Sequence, residues 1–189
     1  MFEICYNPLM LAKLFPAGLI LLAVISRLLP HPPNFTPVMA TGIFAAAYLP
    51  KRWSPILPLT ALFISDLFIG FYGWEMLFVY GSFALISFLS KFFVNKGILN
   101  LAAITFLGSI LFFLITNFGT WLVWDFYHKS FNGLVTCYLA GIPFFRNTFL
   151  GDFVYTFSFF GVYGLVTGER RWLVLLPIKL RHIRNNFSF

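Results

Sequence analysis

The side chains of this chain that could do chemistry are few, and three of them share one short segment. The stretch over residues 27–37 reads Arg-Leu-Leu-Pro-His-Pro-Pro-Asn-Phe-Thr-Pro and places Arg27, His31 and Asn34 among four prolines. Each proline fixes φ and lacks a backbone donor, and it pushes the residue before it out of the helical region. A stiff, extended strap is therefore predicted, holding a guanidinium, an imidazole and an amide in place. Five further candidates lie elsewhere: Asp66, Asn117, Arg146, Asn147 and Asp152. Together these groups can bind a small molecule through charge-assisted hydrogen bonds. No bond-making motif accompanies them, since the sequence has no phosphate loop, HExxH or GxSxG. The three histidines stand far apart, and none neighbours a nucleophile. Asp66 and Asp152 could work as an acid pair only if they came within hydrogen-bond reach of each other.

The elements that must position these residues are membrane helices. Hydrophobic residues make up 60% of the chain and charged residues 10%, with a mean hydropathy of +0.86. Soluble domains average about 25% charged residues, so water alone could not solvate this surface. A bilayer core needs roughly 20 apolar residues per helix. Runs near 11–29, 38–49, 56–72, 76–93, 98–124 and 147–166 give about six candidate spans in a single all-α domain covering 1–189. The second run is short and begins at the strap. Residues 133–145 are apolar but short and close to Arg146, so a re-entrant or interfacial helix is predicted there. Lys13 at the head of the first run suggests a signal peptide, but Arg27 and the prolines occupy the place of a cleavage site, so a retained helix is expected.

Basic residues set the expected orientation. Lys51, Arg52, Lys91, Lys96 and the tail over 167–189 fall at alternate helix ends, and the positive-inside rule puts those ends and both termini in the cytoplasm. The net charge of +7 is then the cytoplasmic rim, which meets anionic headgroups and requires no nucleic acid. On this topology the strongly polar groups within the spans all fall in the outer halves. Arg27, Lys129 and Arg146 nearly balance Asp66, Glu75, Asp125 and Asp152 there. An outward-facing cavity accounts for the clustering, and pairing of Arg27 or Arg146 with Asp66 or Asp152 would make the burial tolerable. Gly42 and Ala46 have the spacing of a helix-packing face. Cys5 and Cys137 have no paired spacing, so neither a disulfide framework nor a zinc site is expected.

Several motifs carry a resemblance. The strap through Val38, the Ser-Asp-Leu at 65–67, the Thr-Asn-Phe-Gly-Thr-Trp at 116–121 and the Pro-Phe-Phe-Arg-Asn-Thr-Phe-Leu-Gly-Asp ending at Asp152 resemble a family of uncharacterised bacterial inner-membrane proteins provisionally assigned to transport. More distantly, Asn-Phe-Thr-Pro-Val followed by a small-residue helix, a basic turn and a helix ending in Ser-Asp and Gly is similar to the S components of energy-coupling-factor vitamin transporters. That resemblance implies six helices, both termini inside, a micronutrient site at the outer face and an ATP-driven energising partner. The first span departs from it. Ala12, Ala17, Gly18 and Ala23 contain no small-xxx-small pair of the kind S components use for docking.

The functional expectation is a membrane transport protein that binds a small substrate through Arg27, His31, Asn34, Asp66, Asn117, Arg146, Asn147 and Asp152, with no cofactor. Two alternatives stay open at this point, a structural subunit of a membrane complex and an intramembrane acid-pair enzyme.

Overall fold

The computed structural model describes residues 8–94, 96–168 and 173, with side chains from Phe15 onward. Six α-helices account for the regular structure among them: α1 Pro8–Leu28, α2 Val38–Tyr48, α3 Trp53–Ile69, α4 Glu75–Ser90, α5 Ile98–Val123 and α6 Phe131–Thr167. Helices are the expected solution in hydrocarbon, where each backbone group must find its partner inside its own segment. Three stretches are long and apolar enough to cross a membrane: Glu75–Phe93, Ile98–Val123 and Phe131–Thr167. Large apolar side chains such as Phe68, Trp74, Phe131 and Leu165 project outward, more than 70% exposed. Such a surface suits hydrocarbon and not water.

Two expectations about the spans need correction. The segment at 133–145 is not a separate re-entrant helix. It is the first third of α6, an unbroken helix of 37 residues. The Ser130 hydroxyl caps that helix by accepting from the Gly133 N–H at 3.2 Å, and Lys129 caps the end of α5 by donating to the Trp121, Leu122 and Trp124 carbonyls. The turn between them is therefore tight, and the segment packs along α5. Tyr138 donates to the Leu114 carbonyl at 2.8 Å, and a Cβ on Gly141 would collide with the Asn117 Oδ1. Pro143 lies inside the helix without ending it, as neighbouring helices permit in membranes.

The second run is not a full span. α2 has 11 residues, about 16 Å at 1.5 Å per residue, against a hydrocarbon core of about 30 Å. Its position explains how so short a helix is stable. Val38–Ala45 are all buried, surrounded by α3, α4 and α6. Phe44 sits at the centre of an aromatic cluster with Phe15, Tyr48, Phe160 and Tyr163, ring centroids 4.8–5.5 Å apart. Gly42 lets α4 approach closely, since a Cβ there would collide with the Ser87 Oγ. Ser54 ties the start of α3 to the same place by donating to the Ser87 carbonyl at 2.7 Å.

The starting depth of α2 determines where the bundle has room. Met39 Sδ would sit 2.8 Å from a Cβ on Gly108, and Gly108 lies near the middle of the 26-residue α5. The strap therefore does not run across the end of the bundle. It descends to mid-depth, and α2 continues from there to the opposite end. Phe35 holds the strap against α6. Its Cα would be 3.1 Å from a Cβ on Gly151, and its ring lies 5.5 Å from that of Tyr155. The expected basic tail over 167–189 lies, apart from Thr167, Gly168 and Leu173, outside the described residues, as does Cys5.

Candidate functional site

Because α2 starts at mid-depth, its own column above that level is filled only by the strap, and a cavity of about 330 Å³ opens there. All six helices contribute to its wall, through Arg27, Val38, Leu62, Glu75, Phe112 and Asp152. The strap adds His31, Asn34 and Thr36, and the α3–α4 connection adds Tyr72. The volume lies within the range of small-molecule sites, about 300–1,000 Å³. A second chamber of about 280 Å³ lies alongside and shares Asn34, Glu75, Val79 and Phe112 with the first. Asn117, Thr116, Thr120, Tyr127 and Cys137 line it.

Arg27 ends α1 and ties it to α3 and α4. Its Nη2 donates to the Asp66 Oδ1 at 2.6 Å, and the Tyr80 hydroxyl donates to the Asp66 Oδ2 at 2.7 Å. Asp66 is fully buried and Arg27 is 14% exposed, so both Asp66 oxygens are committed away from water. The Arg27 Nη1 is buried and has no hydrogen-bond partner. Buried donors without partners are uncommon.

Two further carboxyls face the cavity with different commitments. Both Glu75 oxygens are engaged, by the Thr120 Oγ1 at 2.5 Å and the Trp124 Nε1 at 2.7 Å, which joins the start of α4 to the end of α5. Asp152, 3% exposed, accepts one hydrogen bond, from the Ser109 Oγ to its Oδ2 at 2.7 Å. Thr148, one turn earlier on α6, shares its wall, as residues at i and i+4 must. Between the polar groups lie Phe83 and Phe112, ring centroids 4.9 Å apart. In the α3–α4 connection, burial pushes the Tyr72 hydroxyl up to about 12, and Asp66 acts in the same direction, so it stays protonated at neutral pH.

Two features of the strap shape the mouth. Asn34 has φ of 64°, alone in the left-handed region among the described residues other than glycine, and its position borders both chambers. Asparagine tolerates that region because its short polar side chain hydrogen-bonds locally. His31 Nδ1 lies 2.7 Å from the Leu29 carbonyl, which suits the tautomer protonated there and leaves Nε2 as an acceptor.

The eight sequence-predicted site residues separate into groups. Arg27, His31, Asn34 and Asp152 line the main cavity. Asn117 lines the second chamber, with its amide donating to the Phe113 carbonyl at 2.8 Å. Asp66 stands behind the wall as the partner of Arg27. Arg146 and Asn147 line neither chamber. Arg146 is exposed and forms no ion pair with Asp152. Six residues separate the two on one helix, a spacing that puts them on different faces. Sequence reasoning missed Tyr80, Ser109 and Thr148 and counted Glu75 only as a charge. Thr148 could have been found from its i, i+4 spacing to Asp152. Ser109 follows Gly108 in an apolar helix and reads there as a small packing residue. Among the described residues no group of three His, Cys, Asp or Glu side chains could hold a metal ion.

A family of unknown function, DUF6580, has a model that matches residues 9–175. The chain belongs to this family. The match spans all six helices of this DUF6580 member, apart from Pro8, and every residue that lines the two chambers. No curated protein and no solved structure matches this DUF6580 chain.

Proposed function

We propose that this chain is a multi-pass membrane protein that binds a small polar molecule in the cavity beneath the strap and carries it into the cell. One observation carries the reading. A cavity of metabolite size at mid-depth holds a guanidinium with a free buried donor and a carboxyl with one engaged oxygen. Ionisable groups in hydrocarbon cost several kcal/mol and are retained where they serve a function. The start of α2 adds to the polarity. The Thr41 N–H reaches the Pro37 carbonyl, but no side chain caps the helix, and the N–H groups of Val38, Met39 and Ala40 lack helical acceptors. Half-helices that begin at mid-membrane and aim their ends at a substrate are a recurrent transporter device.

With both termini in the cytoplasm of a bacterial inner membrane, as the basic residues favour, the strap end faces outward and the cavity opens to the side from which nutrients arrive. The S-component resemblance would add an ATP-driven energising partner, although the first helix lacks the small-residue pair used for docking. An acid pair draws no support from the hydrogen bonds of the two carboxyls. Asp66 is held by Arg27 and Tyr80, Asp152 by Ser109, and they share no partner.

The test is chemical. The protein is purified in lipid nanodiscs, and small molecules are extracted and compared by mass spectrometry with those from an Asn34→Ala, Asp152→Asn variant. A compound enriched in the unsubstituted protein and lost from the variant supports the proposal. No enriched compound, together with unchanged uptake of every nutrient in cells carrying the variant, would refute it.

The assembly-subunit reading has one observation in its favour. A groove of about 500 Å³ between α1 and α6, lined by Phe15, Leu19, Leu22, Val154, Phe159 and Val162, is almost wholly apolar. Site-specific crosslinking from Leu22 and Val162 in intact membranes separates the two readings. A stoichiometric protein adduct favours a subunit, and lipid adducts alone favour a self-standing binding protein.

A further inference from the structure

The main cavity presents two kinds of open hydrogen-bonding capacity, and they differ in sign and depth. At its upper level the Arg27 Nη1 is a buried donor with no partner. Asp66 holds the other terminal nitrogen of the same guanidinium, so Arg27 is held in position on the cavity wall beside Tyr72, with one terminal nitrogen unpaired. Guanidinium nitrogens only donate, so what meets Nη1 must accept. At its lower level Asp152 has one oxygen engaged by Ser109. Glu75 differs, because both its oxygens are engaged. The open oxygen of Asp152 calls for a donor. The paired rings of Phe83 and Phe112 line the space near it, and aromatic faces favour a cationic donor over a neutral one.

The vertical separation of the two groups comes from the helices. Arg27 is level with Asp66, which is level with Tyr80 on α4. Three residues further along α4, Phe83 meets Phe112 on α5. Three residues back along α5 is Ser109, which holds Asp152. Six residues at 1.5 Å each make the offset about 9 Å. An α-amino acid carries its amine and carboxylate on one carbon and cannot reach both positions. The intervening wall, Leu62, Val79, Phe83 and Phe112, is apolar.

We propose that the ligand is an elongated bipolar molecule, with a carboxylate or similar acceptor on Arg27, an amine on Asp152, and an apolar or planar middle between them. This rests on the cavity being the binding site and goes further by naming the substrate class. It excludes simple anions, simple organic cations and compact zwitterions.

The probes are ω-amino carboxylates of increasing chain length, each paired with the n-alkylamine, the n-alkanoate and the α-amino isomer of the same length. Binding to the full chain in nanodiscs is measured by calorimetry. One chain length of the ω-amino series is expected to bind at least about tenfold more tightly than its three matched compounds, since each end adds a charge-assisted bond. Asp152→Asn keeps the side chain's shape and its acceptor for Ser109. It is expected to erase the difference between the ω-amino carboxylate and the alkanoate while the protein stays folded. Equal binding of the amine and the ω-amino carboxylate, or a preference that Asp152→Asn leaves unchanged, overturns the inference. Extraction of co-purified compounds distinguishes the two levels of failure. A bound compound with only one polar end refutes the bipolar class and leaves the cavity reading standing. No bound compound and no probe binding refute both.

Discussion

Arg27→Met is the perturbation whose consequence the structure specifies most fully. It leaves Asp66 fully buried with Tyr80 as its remaining partner. Breaking a buried ion pair from one side costs about 3–5 kcal/mol, because an uncompensated charge stays behind. The Tyr80 hydrogen bond survives, and a bond to a charged acceptor contributes about 1.5–3 kcal/mol, so the lower end, about 3 kcal/mol, is expected. Asp66→Asn is milder. The new amide oxygen can still accept from Arg27 or Tyr80, and Arg27, 14% exposed, reaches toward the mouth of the cavity. About 1.5–2 kcal/mol is expected for the loss of charge assistance. The double variant carries neither charge, so its cost should fall well below the sum of the two, with a coupling energy of at least about 1.5 kcal/mol. The measurement is reversible unfolding in mixed micelles, titrated with denaturing detergent, for the four members of the cycle. Additive costs, within about 0.5 kcal/mol, would refute the account. They would mean that Arg27 and Asp66 act independently and that the ion pair does not lock the guanidinium in place.

Three further outcomes rest on local geometry. Asn34→Gly should leave unfolding unchanged, because φ of 64° is open to glycine, whereas Asn34→Val should cost about 1–2 kcal/mol for a β-branched residue in that region. Thr156 is fully buried and its Oγ1 has no partner, so Thr156→Val should raise thermal stability, by about 1 kcal/mol, through relief of an unsatisfied hydroxyl. Gly151→Ala puts a methyl 3.1 Å from the Phe35 Cα, which is backbone and cannot swing away. The strap should shift by a few tenths of an ångström, and crosslinking between cysteines introduced at Phe35 and Tyr155 should slow; an unchanged rate would mean that the strap backbone does not pack against Gly151.

The sequence made the helical class legible because composition alone excludes a water-solvated fold, and it made the strap legible because proline chemistry is local. Arg27 and Asp66 could be matched as candidate partners because so few charges lie within the apolar runs. The limits have equally specific causes. Hydropathy cannot tell a buried half-helix from a lipid-facing span, because both are apolar on every side, and so α2 reads as a short span although no face of Val38–Ala45 meets lipid. A proline and an arginine between two apolar runs look like a break, yet packing on α5 carries α6 straight through Pro143. Arg146 and Asn147 were grouped with Asp152 because all three fall at the outer end of the last apolar run, whereas the helical repeat turns them away from it. Ser109 was invisible, since one hydroxyl in an apolar helix carries no period or motif.

The cavity and the strap have one physical origin. A helix starting directly after α1 would have run the full depth of the bundle and filled its centre with side chains. Pro30, Pro32, Pro33 and Pro37 prevent that, because none can donate to a helical ladder and each disfavours helix in the residue before it. Nine residues of non-helical chain, 29–37, therefore occupy the upper half of the column that α2 occupies below, and the fully extended strap expected from the prolines is broken by a turn in which the Phe35 N–H donates to the Pro32 carbonyl at 3.0 Å. A single non-helical strand of chain is thinner than a helix and leaves space beside it. Its polar backbone cannot face lipid, so it must border either protein or a wet cavity. Phe35 fixes one side of the strap to Gly151 and Tyr155, and Asn34 turns the backbone at the boundary between the two chambers. The arrangement is asymmetric, with rigid helices on five sides and a thin strap on the sixth. Widening the opening would require the strap to move, because moving a helix would break the Arg27–Asp66–Tyr80 or Ser109–Asp152 ties. A disulfide-locked strap should thus hold an occupant already inside and exclude one added later. Equal exchange in the locked and reduced forms would show that entry runs between the helices instead.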